Sequence, residues 1–149
     1  MPPAASSARP RRRNGFTLVE LMVVIVILGL LATVVVINVL PAQEQGKIGK
    51  ARSDIATLEQ ALEQYAIDIG RLPSTEEGLE ALTAAPRGLR QPERYRAGGY
   101  IRRLPQDPWG NPYRYARPGE QGRPYDVYST GPDGAPGGEG DAADIGNWS

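Results

Sequence analysis

Cysteine and histidine are both absent from this chain of 149 residues. Without cysteine the chain can form no disulfide, thiolate nucleophile or cysteine-bound zinc site, and without histidine it cannot build a triad that uses an imidazole base. The side chains left for chemistry at neutral pH are carboxylates, lysine and arginine. We therefore do not expect an enzyme.

The chain has no net charge, but its charges are unevenly placed. Its 17 basic residues balance 17 acidic ones, and residues 1–15 hold four arginines and no acid. The remainder then carries 13 basic against 17 acidic side chains, which does not favour nucleic acid as a partner. Six of the acids, with Arg123 as the one base, follow position 119. That end of the chain is suited to a cation.

A long apolar run follows the basic leader. Residues 16–40 are nearly all Val, Ile, Leu, Met, Ala or Phe. As a helix they would extend about 37 Å, enough to cross a hydrocarbon core of about 30 Å. The arginines before the run, with none after it until Arg52, place the N-terminus in the cytoplasm. The run is too long for a cleaved secretory signal, but hydropathy alone leaves a generic single-pass anchor open.

One carboxylate, Glu20, lies inside this apolar run. An ionised carboxylate there costs about 3 kcal/mol on insertion scales, and no basic residue stands three or four positions away from it. Two interpretations remain open from the residues alone. Glu20 reaches the membrane interface from the start of the helix, or it has a purpose that requires a partner.

Residues 11–21 resemble the type IV prepilin signature, a short basic leader ending in glycine and then Phe-Thr-Leu-x-Glu at the start of a long apolar helix. The resemblance implies that a prepilin peptidase cuts between Gly15 and Phe16 and methylates the new amino group of Phe16. Glu20 then becomes the fifth residue of the mature chain. In an assembled bundle, the Phe16 amine of another subunit would neutralise its carboxylate, which offsets the cost of burying a lone charge.

Beyond the apolar run, the helical pattern continues on one face. Apolar residues recur in steps of three and four, at Ile48, Ala51, Ile55, Leu58, Leu62, Tyr65 and Ile69. Gly70 and Pro73 supply a stop signal. The sequence therefore predicts an amphipathic helix over residues 42–69, with local bending or melting near Pro41 because proline removes a backbone hydrogen bond.

The rest of the sequence predicts a short helix and a β-hairpin. Residues 74–77 resemble a cap for a helix that ends near Pro86. Residues 113–115 and 125–128 alternate apolar with polar side chains on either side of a stretch containing Gly and Pro, which is typical of antiparallel strands. Residues 107–112 predict tight turns around an aromatic side chain, with a packing role.

Two further segments, residues 72–82 and 99–113, resemble the major pseudopilins of type II secretion systems. The resemblance implies an α+β, pilin-like fold: a long N-terminal helix packed on a small domain with a short antiparallel β-sheet and a C-terminal calcium loop. The chain would then consist of a cleaved leader at 1–15, a transmembrane and assembly helix at 16–40, and a periplasmic domain at 41–149.

The C-terminal segment is rich in glycine and aspartate. Calcium takes about six to eight oxygen ligands, many of them carboxylates and backbone carbonyls, although a solvated acidic turn explains the composition equally well. The resemblance to major pseudopilins implies a calcium loop with four oxygen sources: Asp133, Asp144, Asp141 and the Thr130 carbonyl. Ile145 and Trp148 would hold this loop against the domain.

Glu59 and Glu63 are four residues apart on the predicted amphipathic helix, where like charges repel. Either they form a solvated face, or basic residues such as Arg102 and Arg103 bridge them between subunits.

These features predict a structural subunit that is inserted once in the bacterial inner membrane, with its N-terminus in the cytoplasm and its domain in the periplasm. It would polymerise with copies of itself into a type II secretion pseudopilus that drives export of folded proteins across the outer membrane. Its other partners would be minor pseudopilins, the prepilin peptidase and the inner-membrane secretion platform, and not nucleic acid.

Three alternatives remain open on the sequence alone. A type IV pilus pilin, used for adhesion or DNA uptake, typically has a C-terminal disulfide loop, which a chain without cysteine cannot form. A membrane-anchored enzyme would have to rely on carboxylates such as Asp107 or Asp126. A membrane-anchored calcium-dependent binding module would bind carbohydrate or protein ligands through its isolated domain.

Overall fold

The computed structural model describes residues 15–149, apart from the side chains of residues 36–41 and 141. The predicted leader therefore lies outside the described residues except for Gly15. A long helix, α1, spans Leu18–Ile69, and the strands are β1 Arg114–Ala116, β2 Asp126–Ser129 and β3 Ile145–Gly146. Short 3-10 helices occupy Leu79–Leu82, Pro92–Arg94 and Gly140–Ala142. The chain divides into two compact units between Pro41 and Ala42, which are described separately.

The N-terminal unit contains the apolar part of α1. From Leu18 to Val35 the mean hydropathy is 2.9, and no part of this stretch is buried within the structure. Exposure of the large apolar side chains is about as high on one side of the helix as on the others, from 75% at Leu18 to 47% at Val24. A helix that is apolar on every side needs lipid or other helices to cover it. By length and composition, this stretch can cross a membrane.

Helix α1 continues through Pro41 and Gly46 without interruption, so the local melting predicted there is not seen. A proline removes one hydrogen bond from the ladder, whereas a helix that has already formed gains a bond with each further residue. The predicted end is confirmed, because α1 stops at Ile69, immediately before Gly70.

The C-terminal unit buries the predicted apolar stripe of α1. The five central positions of the stripe are at most 3% exposed: Ala51, Ile55, Leu58, Leu62 and Tyr65. Ile48 and Ile69 pack against the core from the two ends of the stripe. The same core includes Leu82 and Val127. Burial of each large side chain of this kind contributes about 1.5–3 kcal/mol, so the stripe is the main hydrophobic support of the unit.

The chain leaves α1 through a capping box. The Glu77 amide donates to Ser74 Oγ at 3.2 Å, and the Ser74 amide donates to Glu77 Oε2 at 2.8 Å, as the cap pattern predicts. Arg71 donates to both carboxylate oxygens of Glu77 at 2.6 Å, and this hydrogen bonding lowers the pKa of Glu77. The helix that follows is a single 3-10 turn, Leu79–Leu82, shorter than the predicted helix.

The predicted hairpin is confirmed and gains a third strand. Strands β1 and β2 pair antiparallel with Tyr115 opposite Val127. Strand β3 then pairs antiparallel with β2, with Ile145 opposite Ser129, to give the order β1-β2-β3. Because β3 has only two residues, it has no alternating pattern from which a strand could be predicted.

A buried carboxylate, Asp107, organises the turn-rich segment before β1. The residue is 4% exposed, and its Oδ1 accepts hydrogen bonds from the amides of Trp109 at 3.0 Å and Asn111 at 2.7 Å. Its Oδ2 accepts from Ser129 Oγ at 2.5 Å, which fixes the turn to β2. The predicted packing role is confirmed, although the turns are centred on the aspartate rather than on the aromatic ring.

Two neighbouring tyrosines, Tyr115 and Tyr125, predict how the fold responds to alkaline pH. Burial raises the pKa of Tyr115 and of Tyr125 to about 12, whereas a tyrosine in an unfolded chain titrates near about 10. The folded state thus keeps protons that the unfolded state loses, so this stabilisation is complete below about pH 10 and is lost as the pH rises toward about 12. Circular dichroism should show unfolding in that window, with tyrosinate absorbance rising together with the loss of structure.

The variant Tyr115→Phe checks the cause. It removes one of the two groups and should make stability less dependent on pH between about 10 and 12. At neutral pH it loses the hydrogen bond from the Tyr115 hydroxyl to the Pro73 carbonyl, 2.8 Å long, at a cost of about 1 kcal/mol. Titration of all tyrosines near pH 10 while the protein remains folded would contradict this account.

Candidate functional site

Helix α1 begins with a capping box that contains Glu20. The Glu20 amide donates to Thr17 Oγ1 at 3.2 Å, and the Thr17 amide donates to Glu20 Oε2 at 3.4 Å. This exchange satisfies donors that have no partner inside the helix and places the carboxylate at the positive end of the helix dipole. This arrangement was not among the predictions, although the Thr-x-x-Glu pattern signals it.

The residues around the predicted cleavage point precede the helix. Gly15 and Phe16 have no regular structure, and Phe16 is 87% exposed. Glu20 is exposed as well. The first basic residue after it in the sequence is Lys47, seven helical turns further on. The apolar segment therefore starts with a carboxylate to which it supplies no side-chain counter-charge.

A second region, the C-terminal loop of residues 130–144, is fixed at its end by Asn147. The Asn147 amide donates to the Val127 carbonyl at 3.0 Å, and its side-chain oxygen accepts from the Val127 amide at 3.3 Å. Its side-chain nitrogen donates to Glu59 Oε1 at 3.1 Å and to the Tyr125 carbonyl at 3.3 Å. This one residue joins the chain terminus to both the sheet and α1.

Ile145 and Trp148 hold the same terminus by packing, as predicted. Ile145 belongs to the core and is 9% exposed. The Trp148 ring lies 5.5 Å from the ring of Tyr128 and covers Gly146 closely. A Cβ at Gly146 would lie 2.4 Å from the nearest carbon of the indole. A larger residue at this position would displace the ring.

The two predicted aspartate ligands have different surroundings. Asp133 is exposed, and its Oδ1 accepts from the Ala135 amide at 3.1 Å in an Asx turn. Asp144 is half-buried, and its Oδ2 accepts from the Gly137 amide at 2.9 Å. Its Oδ1 is buried and has no hydrogen-bond partner among the described residues. An unpaired carboxylate oxygen of this kind suits a hard cation.

The other two predicted ligands give less support to a metal site in the loop. Thr130 is buried, 1% exposed, next to the loop, and the side chain of Asp141 lies outside the described residues. Among the side chains that are described, no three acidic residues come close enough together to hold a metal ion by themselves. An ion in this loop would therefore need neutral oxygens in addition to carboxylates, which calcium accepts.

Glu59 finds its partners within its own chain. Besides Asn147, it has Arg123 Nη1 at 4.0 Å from Oε1, while Glu63 is exposed. The bridge between subunits through Arg102 and Arg103 stays a prediction. Contacts between positions 64 and 88 residues apart leave no local signal in the sequence.

The helix and the sheet together define the class of pilin-like membrane subunits. An N-terminal helix that is apolar on all sides becomes amphipathic, packs on a small antiparallel sheet, and begins at a Phe-Thr-Leu-x-Glu motif. Comparisons with known proteins agree. Residues 10–36 match the prokaryotic N-terminal methylation motif, and residues 38–148 match the family described as type II secretion system (T2SS), protein G.

Individual relatives are similar over almost the whole chain. The type II secretion system core protein G of Pseudomonas aeruginosa is 50% identical over 138 residues, which cover 93% of this chain and 96% of that protein. The protein of the same name from Vibrio cholerae is 53% identical over 138 residues, 93% of each chain. The chain therefore belongs to the type II secretion system protein G family.

The structural comparison supports the same family. A crystal structure of the major pseudopilin from the type 2 secretion system of enterohaemorrhagic Escherichia coli is 44% identical and superposes with a TM-score of 0.66, covering 74% of this chain and 90% of that one. The predicted fold class, apart from its calcium loop, and the predicted role as a pseudopilus subunit are confirmed. With its apolar N-terminal helix, the chain is a membrane-anchored, single-pass pseudopilin.

Replacement of Asn147 should release the C-terminal loop without unfolding the domain. The variant Asn147→Ala loses the three hydrogen bonds of the Asn147 side chain, and each lost hydrogen bond destabilises by about 0.5–1.5 kcal/mol. Hydrogen exchange should become faster in residues 140–149 and stay unchanged along the buried half of α1. Glu139→Ala, at an exposed residue of the loop, is the control, and equal exchange in both variants would refute this role.

Proposed function

We propose that the chain is cut between Gly15 and Phe16 by a prepilin peptidase and then polymerises from the inner membrane into a periplasmic pseudopilus. In this arrangement the residues before the helix face the cytoplasm and the C-terminal unit lies in the periplasm. The main support is Glu20. This carboxylate lies at the start of the apolar segment Leu18–Val35, which has no basic side chain to pair with it.

Cleavage would supply the missing charge. Breaking the peptide bond before Phe16 creates an amino group one helical turn from Glu20, and N-methylation of that amine leaves it cationic. The match of residues 10–36 to the N-terminal methylation motif supports this processing. The capping box engages Glu20 Oε2 with the Thr17 amide, so the carboxylate is held at the helix start while an amine approaches.

Polymerisation would then pair Glu20 of one subunit with the Phe16 amine of another. The apolar side chains of residues 18–35 are exposed, and a bundle of such helices removes that surface from lipid or water. Inside the bundle an unpaired carboxylate is costly, and its neutralisation by a neighbour favours one register over others. The helix would thus supply adhesion and the charge pair would supply the register.

The work of the assembled protein is mechanical in this proposal. Growth of the filament, together with minor pseudopilins and an inner-membrane secretion platform, would push folded proteins across the outer membrane. The chain needs no catalytic site for this role. Its membership of the protein G family and its similarity to a solved major pseudopilin support the proposal.

We also propose calcium as a bound ion of the C-terminal loop. Asp144 and Asp133 would supply carboxylate oxygens, with Asp141 and the Thr130 carbonyl as further ligands. The buried, unpaired Oδ1 of Asp144 supports this assignment, since a cation would satisfy it. When bound, the ion would connect distant points of a glycine-rich loop that buries little apolar surface of its own.

Substitution of Glu20 tests the assembly step. Glu20→Ala removes the charge and the cap, whereas Glu20→Gln keeps a cap acceptor and removes only the charge. We expect both variants to be processed and inserted, and both to reduce filament yield about tenfold or more, because each leaves the Phe16 amine without its partner. Mass spectrometry reports the processing, and electron microscopy of sheared filaments reports the yield.

The control for this experiment is Thr17→Val, which weakens the cap but keeps the carboxylate. It should assemble far better than either Glu20 variant. Normal filaments from Glu20→Gln would show that the charge pair is not needed for assembly and does not set the register between subunits.

A calcium titration of the full chain in detergent micelles tests the loop. After treatment with EDTA, calcium chloride at about 100 times the dissociation constant should stabilise the wild type by about 2.7 kcal/mol, a rise of several degrees in Tm. Asp133→Asn and Asp144→Asn should lose most of this rise. Glu139→Gln, an exposed acid of the same loop, should keep it. If calcium leaves the wild-type Tm unchanged, the ion assignment fails, and the family assignment is unaffected.

A further inference from the structure

A basic pocket lies beside α1 in the C-terminal unit. It has a volume of about 440 Å³ and is bordered by Lys50, Arg103, Leu104, Pro105 and Gln106. Lys50 donates to Asp54 Oδ2 at 2.5 Å, so its charge has a partner within the chain. Arg103 is exposed, and the ion pairs found among the described residues do not include it. The pocket therefore presents one guanidinium that its own chain does not neutralise.

An acidic pocket follows the other end of the helix. Its volume is about 330 Å³, and it is bordered by charged and small residues: Glu76, Glu77, Glu80, Ala81, Ala84, Ala85, Pro86 and Arg87. Glu77 is paired with Arg71. Glu76 and Glu80 are exposed, and no ion pair within the described part of the chain involves either of them. Since Arg87 is the one base among these lining residues, the two unpaired acids outnumber it and the pocket stays negative.

The two pockets are separated along α1. The helix runs from Lys50 to Ile69 without a break, which is about 28 Å at about 1.5 Å per residue. Lys50 borders the basic pocket, whereas the acidic pocket is tied to the chain beyond Ile69 by the ion pair between Glu77 and Arg71. The pockets also share no lining residue. Their unpaired charges are therefore placed to meet between two copies of the chain and not within one.

Each pocket also has uncharged surface next to its charges. Ala84 and Ala85 are exposed and short, so a partner can approach the acidic pocket closely. Leu104 and Pro105 are half-buried and form the apolar side of the basic pocket. Charges around a small apolar contact are a usual composition of a protein interface, in which the charges give orientation and the apolar atoms are removed from water.

A contact between unlike pockets repeats itself. When the basic pocket of one copy meets the acidic pocket of the next, the first copy keeps a free acidic pocket and the second keeps a free basic pocket. Head-to-tail contacts of this kind build open filaments whenever the rotation between copies does not close a ring. The charge pattern of the C-terminal unit is thus suited to the growth of a filament.

We propose that the basic pocket of one copy binds the acidic pocket of the next copy along the filament. Arg103 supplies the free cation, and Glu76 and Glu80 supply the free carboxylates. This inference rests on the proposed polymerisation and adds a contact between C-terminal units to the pairing of Glu20 with an amine. Exposed ion pairs contribute little affinity one by one, but the repulsion of like charges excludes wrong orientations. The contact would therefore fix how successive C-terminal units are turned relative to one another.

This contact is separate from the predicted bridge through the glutamates of α1. Arg102 borders neither pocket, which leaves it for the predicted bridge to Glu59 and Glu63. The two contacts use different acids, so they can be tested independently.

Charge reversal in the full chain tests the contact. Arg103→Glu and Glu80→Lys each place like charges opposite each other, so each should lower the yield of sheared filaments at least about fivefold. The chain that carries both reversals restores the attraction with opposite sign and should recover about half of the wild-type yield or more. Electron microscopy measures the filaments, and mass spectrometry checks that every variant is processed.

Two reversals outside the pockets control for the change in net charge. Arg90→Glu and Glu93→Lys alter exposed residues that border neither pocket, and both should assemble as the wild type does. Because Arg103 and Glu80 are exposed as well, the Tm of their variants in detergent micelles should stay close to that of the wild type.

The other outcomes of the reversals contradict the contact. A double variant that assembles no better than the poorer single variant would show that Arg103 and Glu80 do not meet. A loss of filaments in Arg103→Glu alone, with normal filaments from Glu80→Lys, would mean that the basic pocket binds another anion, such as a lipid headgroup. If all these reversals assemble normally while Glu20→Gln does not, polymerisation stands and only this contact is wrong. If the wild type forms no filaments, the proposed polymerisation fails and this contact fails with it.

Crosslinking measures the contact directly. The chain has no cysteine of its own, so Arg103→Cys and Glu80→Cys introduce its only thiols. A short bismaleimide should join copies that carry both changes into a ladder of multimers, because each copy then links to one copy on either side. Either single variant should give no ladder, and neither should the double variant when Glu20→Gln is added. Filaments of the double variant that give no ladder would overturn the inference.

Discussion

The hydrophobic core of the C-terminal unit is built on the apolar stripe of α1. Leu58, Leu62 and Tyr65 are completely buried, and the sheet and the 3-10 turn at Leu79–Leu82 supply the other side of the same core. A sheet of three strands with two to four residues each is too small to be stable alone. The sheet therefore depends on the helix for a hydrophobic partner, and the same helix carries the membrane segment at its other end.

Carboxylates supply the second level of organisation, since each gathers backbone amides that regular structure leaves unpaired. Glu20 closes the start of α1, Asp107 closes the turns before β1, and Asp126 closes the turn before β2. This use suits a chain with little regular structure beyond its helix, because Asp107 and Asp126 each satisfy two backbone amides. It also places negative charge at two buried points, Asp107 and Asp126.

Features with a local signal could be predicted from the sequence. The stripe of α1, its end at Gly70 and the cap at residues 74–77 follow from spacing and capping rules, and so do the first two strands. The motif at the start of α1 and the segments around it were sufficient to indicate the family. The capping role of Thr17 was available from the same rules and was overlooked.

What could not be predicted depends on contacts across long stretches of chain. Strand β3 is defined by its pairing and not by its composition, and Asn147 meets Glu59 across 88 positions. The shorter 3-10 turn after residue 78 reflects the space left by the core, which a local pattern does not specify.

The position of β3 after all the other strands affects when the domain can form. Ile145 belongs to the core and Asn147 joins this segment to both α1 and β2, so the sheet cannot close until residues 145–147 have been synthesised. The anchor, by contrast, is complete about a hundred residues earlier in synthesis and can enter the membrane first. A subunit that is inserted at that stage is held at the bilayer before its domain has folded.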